Sequence, residues 1–440
     1  MNATMRLSCG VWLAAMLAGC TSAPSKPEAV AHMIQPQRVT EHRGHDDLLT
    51  AGLGLDGLRA MAAPAFADPA HPTAAELRRR AIWGNWRGIA DLSPTGGYGQ
   101  AYGSVASVPG REYSALAKVP GAAQPHRVLV QVPDHFDTRR RCIVVTASSG
   151  SRGIYGAIAV AAPWGLPKGC AVAYTDKGAG TDYFDLDEQQ GAREDGTVGA
   201  LGTDALAFAP DAPVGASGVA VKHAHSKDNP EADWGRHVKQ AAEFALAALD
   251  QAFPQAAPFR FDNTRVIAVG ISNGGGAVLR ASEEEGGWLD AVVAGEPNIY
   301  AADAPGARSL YDYTTEAALL MPCALLDLPA ETLPQPPLRA QVEPLWTARC
   351  ATLKAAGLVT GGDAKAQAAS ARAQLKANGW TDDALVAGAL SVGFDLWRAV
   401  AVTYASAYGR YGVGEHPCGF AFSAQNPDFS ARAASAAERA

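Results

Sequence analysis

Between His126 and Gly295, short apolar runs alternate with helical segments, and that alternation restricts the chain to a few architectures. HRVLVQVPD (126–134), RCIVVTAS (141–148), GCAVAYTD (169–176), TRVIAVG (264–270) and DAVVAG (290–295) read as strands. Between them, SRGIYGAIAVAA (151–162) and WGRHVKQAAEFALAALDQAF (234–253) read as helices, and another starts near Gly275. In the longer one, Val238, Ala242, Ala245, Leu249 and Phe253 fall at helical spacing behind Asp233, a candidate N-cap. The strand runs are apolar throughout, which suits strands covered on both faces. The expectation is an α/β fold with a mostly parallel sheet and helices on each side.

Composition excludes other classes. A chain of 440 residues with 48% hydrophobic and 18% charged residues can bury a sizeable core. Its formal net charge of −7 comes without a basic stretch, so the electrostatic footprint of a nucleic-acid binder is missing. Met1 to Gly19 carries Arg6 and then the apolar segment VWLAAMLAG, which reads as an export signal too short to span a membrane. It ends in Leu17-Ala18-Gly19-Cys20, a segment that resembles the lipobox of bacterial lipoproteins. That resemblance implies lipidation of Cys20, an exported protein (an outer-membrane or periplasmic lipoprotein, or a secreted form), and membrane contact only through the lipid. In such a compartment disulfides persist, and Cys142, Cys170, Cys323, Cys350 and Cys418 remain after the signal. Cys323 with Cys350, and Cys142 with Cys170, are possible pairs whose connectivity the sequence leaves open. The count is odd, and no spacing of a zinc site occurs.

The sharpest local signal is Gly270-Ile271-Ser272-Asn273-Gly274, directly after the apolar run VIAV. A nucleophile on a sharp strand-to-helix turn crowds its neighbours, and glycine two before and two after keeps side chains out of the way. The turn lifts the Ser272 hydroxyl above the sheet and aims the next helix N-terminus at the reaction centre. An oxyanion would then be held by the amide of Asn273 and by an amide from a loop after an earlier strand. Ser149, Gly150 and Ser151, directly after RCIVVT, are the candidates. The competing readings are a structural glycine turn at 270–274 and a flexible connection at 149–151.

VVTASSGSRGIYGAIAVAAPWGLPKGCAVAYTDKGAGTDYFD, KHAHSKDNPEADWGRHV and VIAVGISNGGGAVLRASEEEGGWLDAVVAGEPNIY together resemble the D-(-)-3-hydroxybutyrate oligomer hydrolase family over about residues 45–430. The resemblance implies an α/β-hydrolase-like fold with a helical cap insertion and an exported serine esterase. Its substrate would be a small oligoester of 3-hydroxybutyrate, its nucleophile Ser272, and no cofactor or metal would be needed. The SxGG turn is also similar to the tannase and feruloyl esterase branch, which leaves an aromatic esterase as a second reading. One departure stands out. In this fold the acid and histidine follow the serine along the chain, yet only His416 follows Ser272, in the polar stretch GVGEHPCGF. Family members are longer, so the resemblance places acid and base beyond Ala440, with His416 and Glu296 as weak substitutes. A catalytically inactive lipoprotein that still binds oligoesters is the reading from another class.

Other clusters have blander readings. Lys222-His223-Ala224-His225 would put both imidazoles on one face of a strand, suited to a substrate carboxylate or a metal, but a solvated loop explains it as well. Asp176, Asp182 and Asp185 suit Asx-turns, and Trp83, Trp86 and Trp234 suit core or cap packing. The expected organisation is a signal over 1–19, a flexible linker over 20–45 and an irregular N-terminal extension over 46–125. A hydrolase core follows over 126–299, then a helical cap over 300–412 and an irregular tail over 413–440.

Overall fold

The computed structural model describes residues 33–34, 37–99, 101–334, 339–416, 418–420, 422–426 and 431–432. The export signal and Cys20 lie outside the described residues. The chain begins with strand β1 (Arg38–His42), helices α1 (Gly54–Arg59) and α2 (Ala74–Arg87), and strands β2 (Gly110–Ala117), β3 (His126–Pro133) and β4 (Cys142–Ala147). Helix α3 (Ile158–Gly165) and strand β5 (Ala171–Thr175) follow. Four short strands come next: β6 (Tyr183–Asp185), β7 (Gln190–Ala192), β8 (Val198–Ala200) and β9 (Val219–Val221). They lead to the short helix α4 (Lys222–His225), the long α5 (Trp234–Ala252), strand β10 (Arg265–Ile271), helix α6 (Asn273–Ala281) and strand β11 (Ala291–Gly295). Helices α7 (Leu310–Ala324), α8 (Arg339–Ala355), α9 (Ala364–Ala377), α10 (Asp382–Gly393) and α11 (Leu396–Gly409) complete the regular structure that matters here.

The main sheet has seven strands in the order β1-β2-β3-β5-β4-β10-β11. β5, β4, β10 and β11 run parallel, and β3, β2 and β1 continue the sheet antiparallel. This is the α/β class the alternation implied, with a parallel half that carries the strand ends described below. Two boundaries shift. Arg38–His42, assigned to a linker, is a strand paired with β2, and β2 itself comes from the segment read as an irregular extension. GREYSALA has no run of branched apolar residues, so its strand character comes from being sandwiched between β1 and β3.

Both faces of the central strands β3, β4 and β5 are covered, which is why they read as largely apolar runs, whereas Ala291 and Val293 of the edge strand β11 are exposed. Ile143, Val145 and Ala147 of β4 join Ala241, Ala245 and Leu249 of α5 and Ala277 and Val278 of α6 in one core. Cys142 and Val144 of the same strand, one residue out of step, face the opposite layer with Ile82 and Trp86 of α2 and Ile158 and Ala162 of α3. Thr73 and Glu76 close a capping box at the start of α2, and Ser309 and Asp312 do the same for α7. Asp233 occupies the N-cap position of α5, but its carboxylate accepts from Arg236 instead of capping the helix.

The segment read as helical over 300–412 holds α7 to α11, whereas one part was not visible in the sequence. The stretch between β5 and α5 builds a second antiparallel sheet, ordered β8-β7-β6-β9, over a small core of Phe184, Leu186, Leu206, Phe208 and Ala220. Helices α7 to α10 enclose a separate core that includes Met321, Trp346, Leu375 and Leu385. No single helix among the described residues is long and apolar enough to cross a membrane.

Cys142 is bonded to Cys170 and Cys323 to Cys350, and Cys418 is an exposed thiol. The first bridge ties the starts of β4 and β5 together across a separation of 28 residues. Closing a loop of that size stabilises by about 3 kcal/mol on chain-entropy grounds. The Cys142→Ser, Cys170→Ser double variant is therefore expected to lower the unfolding free energy by about that amount in urea melts under non-reducing conditions.

Candidate active site

The strand order locates the site. From β4 the chain crosses to β5 on one side, while β10 lies on the other, so the order reverses there and leaves a crevice at the carboxyl ends of β4 and β10. β4 ends at Ala147 and runs into Ser148–Ser151, and β10 ends at Ile271 and runs into Ser272.

Ser272 has φ 56° and ψ −126°, a backbone state that non-glycine residues reach only under constraint. Two bonds hold it: its amide donates to the Gly295 carbonyl at the end of β11 (3.0 Å), and its carbonyl accepts from the Gly276 amide (3.0 Å). The glycines make the turn feasible. A Cβ at Gly270 would overlap the Gly274 carbonyl, and one at Gly274 would overlap the Ala147 carbonyl at the end of β4. The second overlap shows how tightly the first turn of α6 presses on the loop after β4. The Ser272 hydroxyl is half-buried and makes no hydrogen bond among the described residues.

The expected oxyanion donors lie on the two segments that border this crevice. The amides of Asn273, Ser149, Gly150 and Ser151 donate no hydrogen bond among the described residues, so they remain free to take up a developing negative charge. Gly150 sits at φ 55°, which turns the loop. The Asn273 side chain is anchored above, its amide donating to the Tyr404 hydroxyl of α11 at 2.6 Å. Tyr404, Tyr408 and Tyr311 form a chain of edge and tilted ring contacts leading up into the helical block, with centroids 5.7 and 5.8 Å apart. Burial pushes the Tyr404 phenol up to about 12, so it stays a neutral donor and acceptor at ordinary pH.

The histidine pair departs from expectation. His223 and His225 belong to a buried helical turn, not to a strand or a solvated loop, and they face different partners. His225 packs on Phe422 and bonds the Val221 backbone, whereas His223 meets the Tyr404 ring at 5.0 Å. His223 Nε2 lies 2.7 Å from Glu231 Oε1 and its Nδ1 lies 2.6 Å from Ser151 Oγ. A carboxylate oxygen accepts, so the ring N–H is on Nε2 and the Ser151 hydroxyl donates to Nδ1. Glu231, on a 3₁₀ turn over Pro230–Asp233, was not singled out in the sequence. Its relation to His223, eight residues earlier, becomes legible only once α4 is known to be helical.

Lys177, directly after β5, is also buried against the loop. Its ammonium donates to Ser148 Oγ at 2.9 Å and to the Gly150 carbonyl at 2.7 Å, and lies 5.6 Å from the centre of the Trp234 ring. Burial pushes it down to about 8, against the opposing pull of Glu231 and Asp176. The aspartate cluster is only partly as expected. Asp176 and Asp185 make the anticipated Asx-type bonds to amides two residues on. Asp182 instead joins a buried ion network with Arg127 and Lys222, in which Lys222 also reaches Asp176.

The two weak substitutes for base and acid fall elsewhere. His416 accepts from the Cys418 amide and makes ring contacts with Tyr411 and Phe420, and none of its contacts reaches Ser272. Glu296 is exposed at φ 40°, next in the chain to the Gly295 that holds the Ser272 amide, and meets no histidine among the described residues. Trp86 and Trp234 are buried in the two cores, and Trp83 bonds the Ala60 carbonyl. A cavity of about 810 Å³ between α2, β1 and the Asp182 region is lined by Arg127 and Asp182 but by neither Ser272 nor any residue of the 148–151 loop. The free amides and the constrained serine, not cavity size, mark the strand ends as the candidate site.

A family model described as 3HB-oligomer hydrolase (3HBOH) matches residues 14–440. The D-(-)-3-hydroxybutyrate oligomer hydrolase of Burkholderia vietnamiensis (strain G4 / LMG 22486) is 43% identical over 448 residues, covering 91% of this chain and 64% of that protein. The protein of the same description from Burkholderia ambifaria is 40% identical over 469 residues, covering 95% of this chain and 67% of its own length. Among solved structures, tannin acyl hydrolase from Aspergillus niger aligns over 58% of this chain and 37% of its own at 12% identity with a TM-score of 0.27. The chain thus spans 64% of the Burkholderia vietnamiensis relative's length, and by sequence it belongs to the 3HB-oligomer hydrolase family.

Proposed function

We propose that this chain is a serine carboxylesterase acting on short oligomers of 3-hydroxybutyrate. The observation that carries the reading is Ser272, fixed at φ 56° on a strand-to-helix turn beside unpaired amides from two different loops. The Ser272 oxygen attacks the ester carbonyl and the amides of Asn273 and the 149–151 loop hold the oxyanion. The alcohol portion leaves with a proton, and water then releases the acyl group from Ser272. No cofactor takes part in this scheme. The tyrosines of α7 and α11 give the helical block an amphipathic lining over the crevice, suited to an oligoester with apolar methyl groups and polar ester oxygens. The substrate class is taken from the name of the Burkholderia relatives.

A second reading is binding without turnover. It is favoured by the absence of any histidine bonded to the Ser272 hydroxyl among the described residues. Export as a lipoprotein anchored at Cys20 is part of the proposal and is supported by the lipobox-like LAGC and by the two disulfides.

Purified protein with Cys20 replaced by serine is expected to release 3-hydroxybutyrate from its dimer and trimer, with kcat/KM at least about tenfold above that for methyl gallate or methyl ferulate. A preference for the aromatic esters would move the assignment to the tannase-like class. Saturable binding of the trimer with no monomer released would select the second reading.

A further inference from the structure

We propose that Lys177, His223 and Glu231 form a clamp that sets the geometry of the 148–151 loop, as positioning residues for the oxyanion site; the inference rests on the esterase reading of Ser272. A four-residue loop of Ser and Gly has high backbone entropy, and its free amides would scatter unless something fixed them. Three bonds from below do so. Lys177 takes the Ser148 hydroxyl and the Gly150 carbonyl, and His223 takes the Ser151 hydroxyl. Each bond uses a side chain or a carbonyl and none uses the amides of 149–151, so the loop is held while its donors stay free.

The holders are themselves fixed. Lys177 is fully buried and His223 is 2% exposed, so neither rotates without breaking its packing. Glu231 orients the His223 ring from its far nitrogen, and Tyr404 makes a T-shaped contact with that ring. Tyr404 also holds the Asn273 side chain, so one phenol links both halves of the oxyanion site. Ser151, His223 and Glu231 have the connectivity of a catalytic triad, yet Ser151 lies on an ordinary loop and lacks the constrained turn that presents Ser272. The arrangement therefore suits holding better than attack.

The experiment uses the full chain with His223→Leu, His223→Gln and Lys177→Met. Backbone amide order parameters are read at 149–151, and kcat and KM are measured on p-nitrophenyl butyrate. Glutamine can accept from Ser151 and donate to Glu231 but cannot carry a proton between them. In His223→Leu and Lys177→Met the order parameters at 149–151 are expected to fall from about 0.85 to below about 0.6, with β4 and β10 unchanged, and kcat to fall about tenfold or more at a KM within about threefold. His223→Gln is expected to restore most of both.

Unchanged order parameters at 149–151 in both variants would overturn the clamp, as would loosening that spreads equally through β4 and β10. A His223→Gln variant with an ordered loop but no recovery of kcat would assign the ring to proton transfer and overturn the positioning role. If the parent turns over no ester, the esterase reading fails, while the order parameters still decide whether these side chains hold the loop.

Discussion

Ser272→Ala is expected to abolish release of 3-hydroxybutyrate from its trimer, lowering kcat by at least about 10³-fold, because covalent attack has no other oxygen in the constrained position. The change removes one oxygen atom from a half-buried side chain that makes no hydrogen bond among the described residues. Folding should therefore be nearly untouched, with the urea midpoint shifted by no more than the equivalent of about 0.5 kcal/mol. The alanine variant has relief of strain available only if the backbone can leave φ 56°, and the Gly295 and Gly276 bonds on either side oppose that. A substantial gain in stability on removing the hydroxyl is thus not expected. A variant that turned over as fast as the parent would remove Ser272 from the chemistry.

The largest effect on stability is expected from Asp182→Ala. Arg127 reaches Asp182 at 2.7 Å and Lys222 reaches it at 3.2 Å, in a place where the Lys222 side chain has no exposure at all. Removing one carboxylate leaves Lys222 with Asp176, and Arg127 with Asp176 and Glu194, as remaining counter-charges, and breaking such a buried network costs about 3–5 kcal/mol. The effect should extend to the site, because the Lys222 amide donates to the Asp182 carbonyl at 2.9 Å and His223 is the next residue.

The same network predicts an acid limb. Burial pushes the Asp182 carboxyl up, and Arg127 and Lys222 more than offset this, bringing it down to about 2 from 3.8. A carboxyl whose folded value lies below its unfolded one binds more protons when unfolded, so its stabilisation is present above pH ~4 and is lost as pH falls toward ~2. Urea melts between pH 5 and 2.5 are expected to show the parent losing stability faster than Asp182→Ala on the way down. Parallel curves would contradict this.

Much of the α/β core was legible because its signals are local. Each strand from β3 to β11 in the main sheet is an apolar run, α5 carries its spacing over the residues expected, and GISNG needs only five positions. The cysteine pairs were visible as possibilities, since each pair lies within one short chain segment. What escaped depends on distant partners. β1 and β2 are strands because they extend a sheet edge, and the four short strands between β5 and α5 are too brief to show a period. His223 read as solvent-facing because nothing nearby in sequence announces that Ser151, 72 residues earlier, would meet it. Lys177 gave no signal either, since a lysine after a strand is usually a surface residue and only the fold reveals that it is buried beneath a loop.

The central claim is that Ser272 is the reactive oxygen, and covalent trapping tests it most directly. The parent chain and Ser272→Ala are treated with a fluorophosphonate, and the site of modification is mapped by peptide mass spectrometry. One adduct per chain, on the peptide containing Ser272, slowed by the 3-hydroxybutyrate trimer and absent from the variant, is the predicted result. Modification of Ser151 or another serine with Ser272 left free would contradict the account.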